Sequence, residues 1–252
     1  MGFEVACTRE IIMNKLLIAL VVGLALLALP ISSNAQGEVM QLSDGSQIRY
    51  AVSVPEGYDG SEAVPMVLAL HYGWGGDGPP PRNYGEGHMR LLVEPALRQL
   101  GAIIVAPDCP APARRWSEPG SDRAVMELLD RVRAEYRIDP DRILVTGFSL
   151  GGHGTWFMAA EHPDIFSAAI PMAGWAQPAW LEKLSEIPMY VIHSRKDEVV
   201  PFAAAEEAVA AAEAKGVPVE LVVVEELTHY DTARYVTYLR NAVPWIQAIW
   251  SR

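Results

Sequence analysis

Between a short apolar run and a run that favours a helix, the chain reads Gly147-Phe148-Ser149-Leu150-Gly151. A serine on so tight a strand-to-helix turn projects its hydroxyl away from the sheet. Glycines on either side remove Cβ atoms that would otherwise clash across the bend. The G-x-S-x-G pattern recurs by chance in many chains. Here residues 142–146 read as a buried strand and 150–161 as the helix that follows, and that context gives the motif its weight. It constrains the fold strongly: the serine belongs at the carboxyl end of a strand within an α/β sheet.

Periodicity extends that expectation to the whole chain. Residues 39–42 and 47–54 flank Ser43-Asp44-Gly45-Ser46, a hairpin pattern around an Asp-Gly turn. Further apolar strands are expected at 66–70, 102–106, 142–146, 167–171, 189–193 and 217–224, making eight. Helices are expected over 89–100, 122–136, 150–161, 202–215 and 232–250. Strands alternating with helices predict a mostly parallel sheet covered on both faces. No repeat or linker divides residues 36–252, so one domain is expected there. The stretch 73–87 is dense in glycine and proline and reads as a long loop, functional or mobile; a linker there would split the core.

The start of the chain carries a different signal. An almost unbroken apolar run over 16–29 follows Lys15 and leads into Ser33-Asn34-Ala35, small residues of the kind a signal peptidase accepts. Residues 1–35 are therefore expected to be a secretory signal, with Met13 as its natural start and Asn14-Lys15 as its basic lead; an uncleaved anchor is the alternative. A secreted or periplasmic product with no stable membrane anchor after cleavage follows. Cys7 would leave with the signal, and Cys109, alone, is expected to be a small inert packing residue. With 20 Lys and Arg against 31 Asp and Glu the net charge is −11. Such a field repels phosphate backbones and argues against nucleic acid as a partner.

A serine hydroxyl needs a base to take its proton, and the base needs a partner to hold its tautomer. Asp197 lies just past the strand ending at His193, and His229 just past the last strand. Ser149, Asp197 and His229 thus all fall at carboxyl ends of strands, where chemistry gathers in open parallel sheets. Glu198 could replace Asp197; Asp231 is too near His229 in sequence to fold back easily. Of the other histidines, His71 is expected to brace a loop, His193 to hold the acid loop, His162 to end a helix and His153 to pack or line a floor. His88 falls in the long loop. No histidine pair has a zinc spacing such as H-E-x-x-H.

On these residues the chain resembles the α/β-hydrolases. It is similar to secreted esterases of the polyhydroxybutyrate depolymerase and feruloyl or acetylxylan esterase type, and to the catalytic domains of prolyl-oligopeptidase-like hydrolases. The matching stretches are Leu70-His71-Tyr72-Gly73-Trp74-Gly75-Gly76, residues 142–154, residues 193–201 and the surroundings of His229. The resemblance implies an eight-stranded α/β-hydrolase fold with Ser149 as nucleophile, Asp197 as acid and His229 as base. It implies an oxyanion hole from the amide of Leu150 and one from the loop after His71. Tyr72 interrupts the usual His-Gly-x-Gly pattern, leaving Gly73 as first choice for the second donor and Trp74 as the second. Small-molecule or polymeric esters are the implied substrates, and neither cofactor nor metal is called for. A prolyl-oligopeptidase-like peptidase and a catalytically silent binding protein are the rival functions.

Only about seventeen residues separate the strands at 167–171 and 189–193, too few for an inserted lid domain. Trp74, Trp116, Trp175 and Trp180 lie in loops near the carboxyl edge of the sheet. Their indole faces could stack on substrate rings or plug the core, and Trp74 and Trp175 are the candidates for substrate contact. Trp245 and Trp250, at helical spacing, read as packing residues.

Overall fold

The computed structural model describes residues 36–75 and 78–252. The expected signal at 1–35 lies outside the described residues. Eight strands form one sheet: β1 (Gln36–Gln41), β2 (Gln47–Ser53), β3 (Val64–Leu70), β4 (Ile103–Pro107), β5 (Ile138–Phe148), β6 (Ala168–Met172), β7 (Met189–Ser194) and β8 (Val219–Val224). Their spatial order is β1-β2-β4-β3-β5-β6-β7-β8. β2 runs antiparallel to both β1 and β4, and every other pairing is parallel. Asp44 and Gly45 make the expected hairpin turn: Gly45 takes φ 84°, and the Asp44 carboxylate accepts the Ser46 N–H at 2.9 Å.

The apolar strands are buried on both sides because alternate residues feed two separate cores. Met66, Leu68 and Leu70 face one side, with Ile103 and Val105. Val67 and Ala69 face the other, with Ile104 and Ala106. The second face is covered by α1 (Tyr84–His88), which continues through a π-helical turn at Met89–Val93 into α2 (Glu94–Leu97), and by the C-terminal helices α7 (Val236–Asn241) and α8 (Val243–Trp250). The first is covered by α3 (Pro119–Glu135), α4 (Leu150–Glu161), α5 (Pro178–Lys183) and α6 (Phe202–Ala214).

Three departures from the sequence expectations have local causes. The loop beginning at Gly73 ends earlier than expected, because α1 starts at Tyr84; His88 is a fully buried helical residue and not a loop residue. The stretch 232–250 is not one helix. A 3₁₀ turn at Thr232–Tyr235 leads into α7, and Pro244 restarts the chain as α8, since proline lacks the N–H that would bond back to Arg240. Between β6 and β7 the chain forms the six-residue helix α5, too short for a readable apolar period, and no larger insertion.

Around α4 the backbone approaches the sheet closely. Residues Gly151 through Ala160 are all buried. A Cβ on Gly151 would land on the carbonyl of Leu70, one on Gly152 on the carbonyl of Met172, and one on Gly154 at 2.6 Å from Trp116 Cβ. These glycines let the helix N-terminus press against the ends of β3 and β6. Gly151→Ala is therefore expected to lose at least about 3 kcal/mol of stability or to fail to fold. Gly120→Ala, where the added methyl meets nothing within 4 Å, should gain about 0.5–1 kcal/mol from helix propensity. Denaturant titration of both variants checks the contrast.

Candidate active site

Ser149 occupies the bend between β5 and α4 with φ 56° and ψ −113°. That left-handed backbone costs a non-glycine residue on the order of 1–3 kcal/mol. It is clamped from both sides: the Ser149 N–H donates to the Met172 carbonyl at 2.9 Å, and its own carbonyl accepts from His153 N–H at 2.9 Å. The strain aims the hydroxyl off the carboxyl edge of the sheet. The N–H of Leu150 belongs to the first turn of α4, where amides lack intrahelical partners.

Asp197 follows β7 and His229 follows β8, and both side chains reach the same point. Ser149 Oγ lies 2.8 Å from His229 Nε2. His229 Nδ1 lies 2.9 and 2.8 Å from the two oxygens of Asp197. The carboxylate accepts Nδ1–H, which leaves Nε2 with a free lone pair toward the hydroxyl. Burial by itself would raise the Asp197 carboxyl. Hydrogen bonds from His193, His229 and the Val200 N–H outweigh it and hold that carboxyl well below the usual carboxylate range. The Val199 N–H, at 3.0 Å, adds a further donor to Asp197 Oδ1.

The surrounding loops are tied to one another. Asp231 does not compete for His229: its Oδ2 accepts both the N–H and the hydroxyl of Thr228 at 2.8 Å, closing the turn that carries the imidazole. Glu198 does not replace Asp197 but accepts the backbone N–H of His229 at 3.0 Å, a positioning contact with no signature in the sequence. His193 Nε2–H donates to the Val200 carbonyl at 2.9 Å and stands 3.4 Å from Asp197 Oδ2, so it does hold the acid loop. Ser194 links the same two loops, donating toward the carbonyls of Val224 and Leu227 while accepting from Lys196 N–H.

The loop after β3 is pinned by buried aromatics. His71 Nδ1–H donates to the Tyr72 carbonyl at 2.6 Å, and Nε2 accepts the Cys109 N–H at 3.0 Å. Burial pushes the His71 pKa down to about 4, so the imidazole is neutral. Trp116, wholly buried, donates its Nε1–H to the His71 carbonyl at 3.1 Å. Trp116 and Trp180 are thus core residues, Trp180 packing on His153 and Phe157. Gly73 lies next to Leu150, whose Cβ is 3.9 Å from the position a Gly73 Cβ would take, and it borders a cavity shared with Ser149 and His229. Trp74 turns its indole aside, donating to the Gly78 carbonyl at 2.8 Å and packing edge-on to His71. Trp175 borders a second cavity at Ser149 and stacks on the buried His153 with ring centres 4.1 Å apart. Cys109 is buried, and desolvation pushes its thiol up to about 11. His162 ends α4 and pairs with Asp122 at 2.6 Å. Among the described residues no group of three or more His, Cys, Asp or Glu side chains could hold a metal ion.

A mostly parallel sheet in this order, carrying a serine after β5, an aspartate after β7 and a histidine after β8, is the α/β-hydrolase fold. Residues 108–250 match the model of the Esterase family, described as "Putative esterase", and the chain belongs to that family. Poly(3-hydroxyalkanoate) depolymerase C of Paucimonas lemoignei is 39% identical over 66 residues, 23% of this chain and 16% of that protein. A protein named "Probable feruloyl esterase C" from Aspergillus terreus is 27% identical over 197 residues, 76% of this chain and 72% of that one. The crystal structure of a thermostable esterase superposes with TM-score 0.71 at 25% identity, covering 85% of this chain and 62% of that one. The chain thus spans a small part of the first relative and most of the second.

The lowered carboxyl of Asp197 has a thermodynamic consequence. Its stabilising contribution is fully present above the unfolded carboxylate value near pH 4 and is lost as pH falls through the lower folded value. Wild-type protein is expected to lose roughly 2 kcal/mol relative to Asp197→Asn between pH 5 and pH 2. Thermal unfolding of the two across that range measures the difference.

Proposed function

We propose that this protein is a serine esterase that cleaves carboxylic esters through Ser149, His229 and Asp197. The observation that carries the reading is the continuous hydrogen-bonded line from Ser149 Oγ to His229 Nε2 at 2.8 Å and from His229 Nδ1 to Asp197 at 2.8 Å. In the first half-reaction His229 Nε2 takes the Ser149 proton as Oγ attacks the ester carbonyl. Asp197 stabilises the resulting imidazolium. The oxyanion is received by the amides of Leu150 and Gly73; the proximity of Gly73 to Leu150 favours it over Trp74. The tetrahedral intermediate collapses, His229 gives its proton to the departing alcohol, and an acyl-serine remains. Water, deprotonated by His229, attacks that ester, and collapse returns Ser149 with its proton and releases the acid.

Access to the site supports short or bulky esters, polymeric ones included. Only α5 and its flanking turns connect β6 to β7, and Tyr230 stands 78% exposed at the mouth. No helix among the described residues is long and apolar enough to cross a membrane. The apolar run at 16–29 and the small residues before Gln36 support export, with residues 36–252 as the single catalytic domain.

Two measurements test this. Ser149→Ala is expected to lose at least about 10³-fold in turnover across a panel of short-acyl 4-nitrophenyl esters, methyl ferulate, acetylated xylan and polyhydroxybutyrate. A dipeptide anilide hydrolysed faster than every ester would overturn the ester assignment. Mass spectrometry of the exported protein should find Gln36 as its first residue; a mature form retaining residues 13–35 would sink the cleaved-signal assignment.

A further inference from the structure

Ser149 stands between two cavities of similar size and different character. One, about 500 Å³, is bounded by Leu150, Trp175, Leu181, Val200 and Ala204. The other, about 480 Å³, is bounded by Tyr72, Gly73, His229, Tyr230 and Thr232. Val199 borders both. The tetrahedral carbon formed on Ser149 has three other substituents, and the residues already described direct two of them. Its oxyanion points to the amides of Leu150 and Gly73. Its leaving oxygen must lie within hydrogen-bond reach of His229 Nε2, which protonates it. The alcohol therefore departs along the wall that carries His229, and the acyl chain has to leave on the other side, under Trp175.

The acyl side has one further feature. α6 presents Ala204, Glu207 and Ala208 to that cavity at i, i+3 and i+4 spacing. Among the described residues that border it, Glu207 alone is ionisable. Its side chain is exposed at the rim, where a carboxylate repels a like charge and attracts a cation through water of intermediate screening.

We propose that the cavity under Trp175 receives the acyl half of the ester and the cavity under Tyr230 the alcohol half. Glu207 turns the acyl site against groups that end in a carboxylate and toward those that end neutral or positive. The assignment rests on the serine-esterase reading and adds to it the class of acid the enzyme accepts: a medium-sized, mainly apolar acyl group without a terminal anion.

The experiment compares kcat/KM for five esters: 4-nitrophenyl acetate, 4-nitrophenyl hexanoate, methyl hexanoate, 4-nitrophenyl hydrogen adipate and 4-nitrophenyl 6-(trimethylammonio)hexanoate. Ala204→Trp should lower the hexanoate-to-acetate ratio at least tenfold, and Leu181→Trp, on the facing wall, should do the same. Both should slow deacylation of the hexanoyl-enzyme in single-turnover runs. Thr232→Trp should instead alter the preference between 4-nitrophenyl and methyl hexanoate while leaving the hexanoate-to-acetate ratio of the 4-nitrophenyl esters unchanged, because the acyl chain lies in the other cavity. Glu207→Gln should raise the adipate-to-hexanoate ratio about threefold to tenfold and lower the trimethylammonium ratio. Glu213→Gln, on the same helix outside the cavity, controls for net charge and should change neither. A fall in the hexanoate-to-acetate ratio from Thr232→Trp and not from the two acyl-side variants would reverse the assignment. Equal responses of Glu207→Gln and Glu213→Gln would remove Glu207 from it. Failure of a fluorophosphonate to label Ser149 in folded wild-type protein, with no turnover of 4-nitrophenyl acetate, would overturn the esterase reading itself.

Discussion

The contact between Gly151 and the carbonyl of Leu70 sets the geometry on which the site depends. A side chain at that position has no room. Its absence lets the first turn of α4 sit against the end of β3, and the chain enters that turn through Ser149 with φ 56°. The hydroxyl, the Leu150 amide and Gly73 are brought together by this one approach. Met172 completes it from the other side: its carbonyl holds the Ser149 N–H and also blocks any Cβ on Gly152. Strain at the serine is thus held in place by buried backbone contacts and not by the substrate.

Electrostatically the site combines a strongly hydrogen-bonded carboxylate, Asp197, with two buried imidazoles, His71 and His153, that stand apart from it. Asp197 keeps its charge because backbone and imidazole donors surround it. His71 and His153 are buried and have their pKa pushed down to about 4 each, desolvation being the larger cause. Both donate Nδ1–H to a nearby carbonyl, of Tyr72 and of Trp175 respectively. They shape the loop after β3 and the wall of the Trp175 cavity without adding charge. Asp197 therefore acts on the His229 ring at Nδ1, while Glu198 holds the main chain of the same residue.

Much of this was legible in the residues alone. The eight strands stand within a few positions of where apolar runs and turn residues put them, because strands buried on both faces leave continuous hydrophobic signatures. Ser149, Asp197 and His229 could be ordered along the chain because each sits just after such a strand. What escaped has physical reasons. Glu198 acts on the main chain of His229, and a contact to backbone leaves no pattern in sequence. Six-residue α5 is shorter than two turns. α1 begins inside a glycine- and proline-rich stretch whose composition reads as loop, and His88 becomes core only because the helix packs it against Tyr72. Trp116 and Trp74 both read as loop tryptophans near the carboxyl edge of the sheet; only the fold separates the one buried under His71 from the one turned toward Gly78.

Cys109, tucked beneath the loop after β3 with its thiol pushed up to about 11, is the sole sulfhydryl between Gln36 and Arg252. Residues 36–252 therefore cannot form a disulfide among themselves. The same burial makes the thiol a native reporter. An alkylating reagent reaches it only when the region around His71 and Trp116 opens, so its rate of modification follows how often the floor of the site comes apart.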